Sequence, residues 1–387
     1  MAQSPITPAP RYEFLDALRG LAILGVISTH CATFAQGDFP LVSFAAAGRN
    51  GVQLFFMVSA FTIFMTLERA LSREPALIRS FFIRRVLRIL PMFWVGIVLY
   101  AFAPGRMPCP IHIDMGFSYY FVAALLQHGW HPYYLNTIVP GGWSIAVEVT
   151  FYIVAPFLFF RIRNWQAALF FLLIALLICT LANTGIHFLV NHQLLFRKLN
   201  PELVESFSQF WFPSQLPVFA SGILAYYIFK SLPETFRSKR NGLLLLATAL
   251  ISIYTVVGIN GYRLISVPTF FALGFILLVI ALAVYPFPLL VNPATCFLGR
   301  ISYSVYLLHF LILQLAIRVF QAHLPVVFSK PLMAYVLLFT ATLVFVTPLS
   351  WMTYKLIEQP FIRLGSSFVR RLNDVPENGL KKNSAIA

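Results

Sequence analysis

Charge is scarce in this sequence. Of 387 residues, 11% are charged, and Asp and Glu together number 13. A soluble domain is about 25% charged and about 45–50% apolar. Here 59% of residues are hydrophobic, 16% are aromatic, and Phe alone occurs 40 times. Mean hydropathy is +0.80. A soluble enzyme, a disordered chain and a fibrous protein are excluded. Cysteine is also scarce. Cys31, Cys109, Cys179 and Cys296 form no CxxC and no Cys/His ligand spacing, so neither a disulfide framework nor a zinc site is indicated. The opening MAQSPITPAPRYEF lacks the apolar core of a signal peptide, so the first apolar run is expected to stay in the protein. No internal repeat is evident, which argues against the inverted halves of many transporters. No polar stretch is long enough for a separate soluble domain.

What the sequence has is long apolar runs. Short alternating segments would mark a β-barrel; continuous runs of roughly 20 residues mark membrane helices. The expected fold is an all-α membrane protein, a polytopic bundle. Ten runs qualify, near 16–36, 50–67, 86–103, 142–160, 165–182, 208–229, 241–259, 264–285, 296–319 and 332–355. An eleventh, 117–127, is too short to cross and reads as re-entrant or interfacial. The net charge is +15. In a soluble chain that would suggest nucleic acid, but here the basic residues lie between apolar runs and set orientation. With ten spans and both termini in the cytoplasm, only Arg49, Arg106, Arg197, Lys198, Arg263, Arg318 and Lys330 of the 28 Lys and Arg face outward. The chain then divides into a cytoplasmic segment 1–11, a membrane domain 12–364 and a loose cytoplasmic tail 365–387. The longest outer loop is about 183–207.

Ionisable groups inside hydrocarbon are expensive and each invites a functional reading. His30, His309 and Glu148 are the acids and histidines well inside spans. In LDALRGLAILGVISTH, Arg19 and His30 stand eleven residues apart, three turns along one helix face and roughly 16 Å along its axis. Arg19 is near the cytoplasmic entrance and His30 past mid-depth. A snorkelling Arg with a structural His is the plainer alternative. In GVQLFFMVSAFTIF, Ser59–Ala60 is a small pair among aromatics and reads first as a packing notch. In IRRVLRILPMFW, Arg84, Arg85 and Arg88 open a span that Pro91 is expected to kink. They serve as a positive-inside anchor or as guanidinium forks for a phosphate arriving from the cytoplasm. In GGWSIAVEVTFY, Trp143 fits an outer aromatic belt, and Glu148 and Tyr152 lie deeper. A histidine is the natural partner for a buried Glu148. In ISYSVYLLHF, Ser302, Tyr306 and His309 form one polar stripe. In KLIEQPFIR, Glu358 is placed to pair with a cytoplasmic Arg, and Pro360 to stop the helix.

Together and in this order, these motifs resemble the membrane acyltransferase family 3, the bacterial integral-membrane O-acyltransferases of surface glycans. Arg19 to His30 is similar to the family's basic-x10-His element. FFMVSAF resembles FFxxSGF, with Ala60 where Gly is usual. RRVLRILP, WSIAVEVTFY, ISYSVYLLH and EQPFIR resemble the four that follow, over about residues 12–364. The resemblance implies transfer of an acyl group, most often acetyl, from cytoplasmic acyl-coenzyme A to a sugar hydroxyl, in the bacterial inner membrane and without a metal. It implies His30 as catalytic base or acyl carrier and Arg19 as its partner in the acyl-donor tunnel. It also implies Arg84, Arg85 and Arg88 on the coenzyme A phosphate side, with Trp143, Glu148, Tyr306 and His309 lining the site. The chemistry agrees: a sugar hydroxyl needs a base, and the tetrahedral oxyanion needs a donor, for which Ser59, Tyr306 and His309 are candidates. The rival reading is a transporter or flippase of an anionic or lipid-linked substrate, with the buried His and Glu as a proton relay. The implied partners are acyl-coenzyme A, a glycan or lipid-linked sugar and the bilayer; no nucleic-acid motif is present.

Overall fold

The computed structural model describes residues 12–35, 37–39, 42–102, 116–135, 138–192, 201–258 and 267–374. No strand occurs among them. The helices are, in order, α1 (Glu13–Ala35), α2 (Val42–Ala47), α3 (Gly51–Leu71), α4 (Leu77–Phe102), α5 (Phe117–Ala124), α6 (Gly142–Arg161), α7 (Trp165–Asn191), α8 (Pro201–Phe210), α9 (Phe212–Ser231), α10 (Lys239–Gly258), α11 (Val267–Val284), α12 (Pro293–Arg300), α13 (Ser302–His323), α14 (Pro331–Thr353) and α15 (Gln359–Asn373). The segment 1–11, Arg11, Arg106, Cys109, Arg197, Lys198, Arg263 and the tail from 375 lie outside the described residues.

In its described residues each of the ten apolar runs is almost wholly helical. Among the described residues seven helical segments are long and apolar enough to cross a membrane: α1, α2 with α3, α4, α6, α7, α13, and α14 with α15. The other three runs fall on α9, α10 and α11. The modest hydropathy of α9 has a physical reason. Residues 214–227 of α9 are all buried, so its Ser, Gln and Tyr side chains meet protein rather than lipid. By contrast α7 exposes Phe170, Leu173, Leu177 and Leu181, the pattern of a lipid-facing outer helix.

Four boundaries differ from the sequence reading. The ninth run does not start at 296: Asn292 and Thr295 form a capping box that opens the short α12, and the long helix begins at Ser302. The described residues of the outer loop expected over 183–207 are helical but for His192, since α7 reaches Asn191 and α8 begins at Pro201. Pro360 does not stop the last helix. It follows a π-helical turn, Tyr354–Glu358, and sits in the first turn of α15, where a missing N–H is tolerated. The start of the loose tail is accordingly ordered. Asn373 accepts the Ala76 N–H at 3.1 Å and donates to Ser80 Oγ at 3.0 Å, pinning α15 to the start of α4. The short run at 117–127 forms the eight-residue α5, too short to cross.

Helix α1 is gripped on three sides. Asp16 and Gly20 lie against α12, Thr29 donates to the Ala46 carbonyl of α2 at 3.0 Å, and Ser28 meets Tyr335 of α14 at 2.9 Å. At 100° per residue the fourth side carries Arg19, Ile23, Val26 and His30. It looks toward α3 and α13. Helix α3 crosses α9 with Phe56 stacked on Phe219 at 4.7 Å and Gln53 hydrogen-bonded to Gln215 at 3.1 Å. A Cβ on Gly222 would stand 2.4 Å from the Met57 carbonyl oxygen and 2.9 Å from Ala60 Cβ. The glycine that permits this crossing therefore belongs to α9, which is why Ala60 fits on α3.

Candidate functional site

Two polar centres lie along the inward stripe of α1, one at each of its polar residues. At the first, Arg19 Nη2 donates to Thr62 Oγ1 of α3 at 2.8 Å, and Nη1 pairs with Asp16 at 3.4 Å. The Thr62 hydroxyl passes its own hydrogen to the Val58 carbonyl at 2.6 Å. The charges of Arg88, Arg85 and Glu148 also act on Arg19. One turn further along α3, Ser59 donates to Glu148 Oε1 at 2.5 Å, and Tyr152 donates to the same oxygen at 2.7 Å. Arg85 lies over the Tyr152 ring at 5.1 Å and the Phe81 ring at 5.6 Å. Glu358, buried in the π turn, accepts from Ser304 of α13 and feels the charge of Arg88. The cluster gathers cations and carboxylates from α1, α4, α6 and the α14–α15 junction. Membrane burial is tolerable because each charge has opposite charge nearby or a hydrogen-bond partner.

Arg84, Arg85 and Arg88 of α4 are split. Arg84 makes a two-pronged pair with Glu74, 2.9 Å on each prong, beside Arg370 and Asn373 of α15. Arg85 turns inward onto Tyr152. Arg88 is exposed and makes no ion pair among the described residues. Residues 84 and 88 share a helix face by spacing alone; in the fold only 85 and 88 join the Arg19 cluster. The helix runs on through Pro91. Tyr303 donates to the Ile89 carbonyl and Tyr100 to the Leu307 carbonyl, each at 2.8 Å, tying α4 to α13 on both sides of the proline.

At the second centre the His30 and His309 rings are 5.4 Å apart, and Phe310 touches both at 4.2 and 4.3 Å. Tyr306, 5.7 Å from His309, donates to the Gly141 carbonyl at 2.9 Å. Ser144 donates to the same carbonyl at 3.0 Å and lies 2.8 Å from the Tyr306 hydroxyl. Gly141 has φ +75°, and a Cβ there would meet the Tyr306 hydroxyl at 2.7 Å, so conformation and space both call for glycine.

Several sequence expectations change here. Glu148 is held by Ser59 and Tyr152, not by a histidine. Ser59 is a carboxylate donor as well as part of the packing notch. Glu358 bonds Ser304 in place of a direct arginine pair. Trp143 is buried between Phe210, stacked at 4.4 Å, and Phe56, edge-on at 6.1 Å, so it belongs to the core and not to an aromatic belt. Tryptophan at a span end fits both settings, and only the docking of α8 separates them. Ser302 is buried at the start of α13. The oxyanion donors named from sequence are engaged elsewhere: Ser59 with Glu148, Tyr306 with Gly141, and the Nδ1 side of His309 with the Tyr306 carbonyl at 2.6 Å. Thr62, Ser144, Tyr303, Ser304 and Phe310 were not singled out by sequence, since hydroxyls and Phe in a span carry no marker of which neighbour they meet. His128 was missed because it lies outside the spans. It stacks flat on Phe93 at 5.7 Å, and burial holds its pKa below the ordinary histidine value. No group of three or more metal-ligating side chains occurs among the described residues.

Comparisons with known proteins give the family. A family model described as an acyltransferase domain matches residues 12–354. Nodulation protein 10 of Rhizobium leguminosarum bv. viciae is 26% identical over 384 residues, covering 92% of this chain and 95% of that protein. The peptidoglycan O-acetyltransferase OatA of Listeria monocytogenes is 27% identical over 161 residues, covering 39% of this chain and 24% of that protein. No solved structure matches. The match across nearly the whole membrane bundle, with the Arg19–His30 stripe inside it, means that this chain is a membrane protein belonging to the acyltransferase family 3.

Proposed function

We propose that this chain is an O-acyltransferase of the bacterial inner membrane. It carries an acyl group, acetyl in the simplest case, from cytoplasmic acyl-coenzyme A to a hydroxyl of a cell-surface or lipid-linked glycan. The observation that carries the reading is the single inward stripe of α1, with Arg19 in a charge cluster at one end and His30 beside His309 at the other. The thioester reaches His30 from the arginine end, with Arg88 and Arg85 nearest the phosphates. Arg19 and Glu148 hold the cluster's geometry between them. His30 takes the proton of the acceptor hydroxyl as it attacks the thioester, or carries the acyl group itself and passes it on. The acceptor class is taken from the relative whose name specifies peptidoglycan O-acetylation.

The same proposal includes ten spans with both termini in the cytoplasm. Support comes from the basic residues that gather at the Arg19 end. Arg69 lies over the Tyr12 ring at 5.1 Å, Lys230 pairs with Glu68, and Arg237 lies over Phe229 at 5.3 Å. That is the distribution expected of a cytoplasmic face. The test is transfer itself. Membranes containing the chain are expected to move label from radiolabelled acetyl-coenzyme A onto glycan, and membranes lacking it are not. Equal labelling of the two would defeat the proposal, and mass spectrometry of the labelled glycan would identify the acceptor.

A further inference from the structure

On the acyl-transfer reading proposed above, we propose that His309 is a positioning residue that acts through His30. It accepts the N–H of one His30 nitrogen, so that the other presents its lone pair to the reacting centre. The first observation is tautomeric. His309 Nδ1 lies 2.6 Å from the Tyr306 backbone oxygen. A carbonyl only accepts, so Nδ1 carries the hydrogen, and Nε2 of the neutral ring is left with a lone pair. The second is that this Nε2 is buried and has no hydrogen-bond partner. A buried acceptor without a donor is uncommon and calls for an explanation. The third is proximity. The His30 ring is 5.4 Å away, centre to centre, tilted by 31°, with Phe310 flanking both rings. The two imidazoles are direct neighbours, and the N–H···N bond between them forms as the site tightens on substrate.

Exposure assigns the roles. His309 is 0% exposed, whereas His30 is partly open. Only His30 can meet a substrate; His309 stands behind it. With one His30 nitrogen held, the other takes the proton of the acceptor hydroxyl while the oxygen bonds to the thioester carbon. The C–S bond then breaks, sulfur leaves with the electron pair, and His30 returns the proton to the thiolate. An ester, a thiol and neutral His30 result. In the relay alternative the same lone pair attacks the carbonyl carbon, the C–S bond breaks and the thiolate leaves with the electron pair. The acceptor hydroxyl then attacks the acyl carbon, the C–N bond breaks and returns its pair to His30, and the hydroxyl proton ends on the thiolate. Both routes need the same tautomer, so His309 serves either one.

The test uses the full chain in inverted membrane vesicles, radiolabelled acetyl-coenzyme A as probe and label on glycan as readout. His309→Phe keeps a ring and removes the acceptor; His309→Gln keeps an acceptor near the Nε2 position. The Phe variant is expected to lose about 10²-fold in kcat at unchanged donor KM, and Gln to recover about tenfold of it. A Phe variant within about threefold of the parent, a donor KM that rises in step with the loss, or a Gln variant no better than Phe each overturns the role. Should the Phe variant fail to accumulate, His309→Asn, which cannot reach the Nε2 position, replaces it in the same comparison. His30→Ala run alongside separates two failures. Unchanged labelling there ends the acyl-transfer reading, whereas loss there with full activity of His309→Phe ends only the positioning role.

Discussion

His30→Ala removes glycan labelling while the protein accumulates in the membrane at its normal level. The loss is expected to be roughly 10²–10⁴-fold if His30 is a general base, because the bound hydroxyl and thioester still meet without it. It is complete if His30 carries the acyl group, because no bond can then form to the relay. The residual rate therefore discriminates the two routes. The fold should survive. His30 is partly exposed and its ring contacts are to His309 and Phe310, while α1 is held by its other faces. The check is quantitative labelling of membranes matched for protein amount. A variant with unreduced labelling is incompatible with either role.

The second large effect separates three adjacent arginines. Arg88→Ala and Arg85→Ala raise the donor KM, and Arg84→Ala does not. A charge-assisted hydrogen bond to phosphate contributes about 1.5–3 kcal/mol, or roughly 10- to 150-fold in affinity. Arg88 carries the larger share because it is exposed and makes no ion pair, whereas Arg85 is stacked on Tyr152. Arg84 is already held in a two-pronged pair by Glu74. Its loss should loosen the seat of α15 and lower thermal stability at unchanged donor KM. The measurement is initial rate against acetyl-coenzyme A concentration for the three single variants. Equal KM effects at 84 and 88 would mean that all three arginines meet the phosphates and that the Glu74 pair opens. A loss confined to kcat at Arg88 would contradict the phosphate role.

Sequence carries much of this fold because lipid imposes a simple rule. Every backbone polar group must be satisfied within its own helix, so apolar length alone marks a helix. That rule fails where a helix is surrounded by protein: α9 is buried all round over 214–227 and is the more polar for it. It is also blind to breaks, as at Ile301, where a continuous apolar run hides the end of α12 and the start of α13. Within the site, Arg19 and His30 were legible because both sit on one helix and spacing fixes their common face. The meetings between helices were not. Nothing in α1 or α13 alone says that His30 and His309 face each other, or that Glu148 meets Ser59 and Tyr152. The α4 arginines show the same limit from the other side. Their spacing is suited to one shared anion, but in the fold Arg84 pairs with Glu74 and Arg85 lies over Tyr152, while Arg88 makes no ion pair among the described residues.

The most direct measurement asks whether the donor passes along the α1 stripe as far as His30. In a background with the native cysteines replaced, the thiol of His30→Cys is alkylated with a small maleimide, with and without coenzyme A on the cytoplasmic side. Bound donor should slow that alkylation at least about tenfold, and the protection should weaken in step with the donor KM when Arg88→Ala is added. An alkylation rate indifferent to coenzyme A, in protein that still binds it, would put the thioester somewhere other than beside this imidazole.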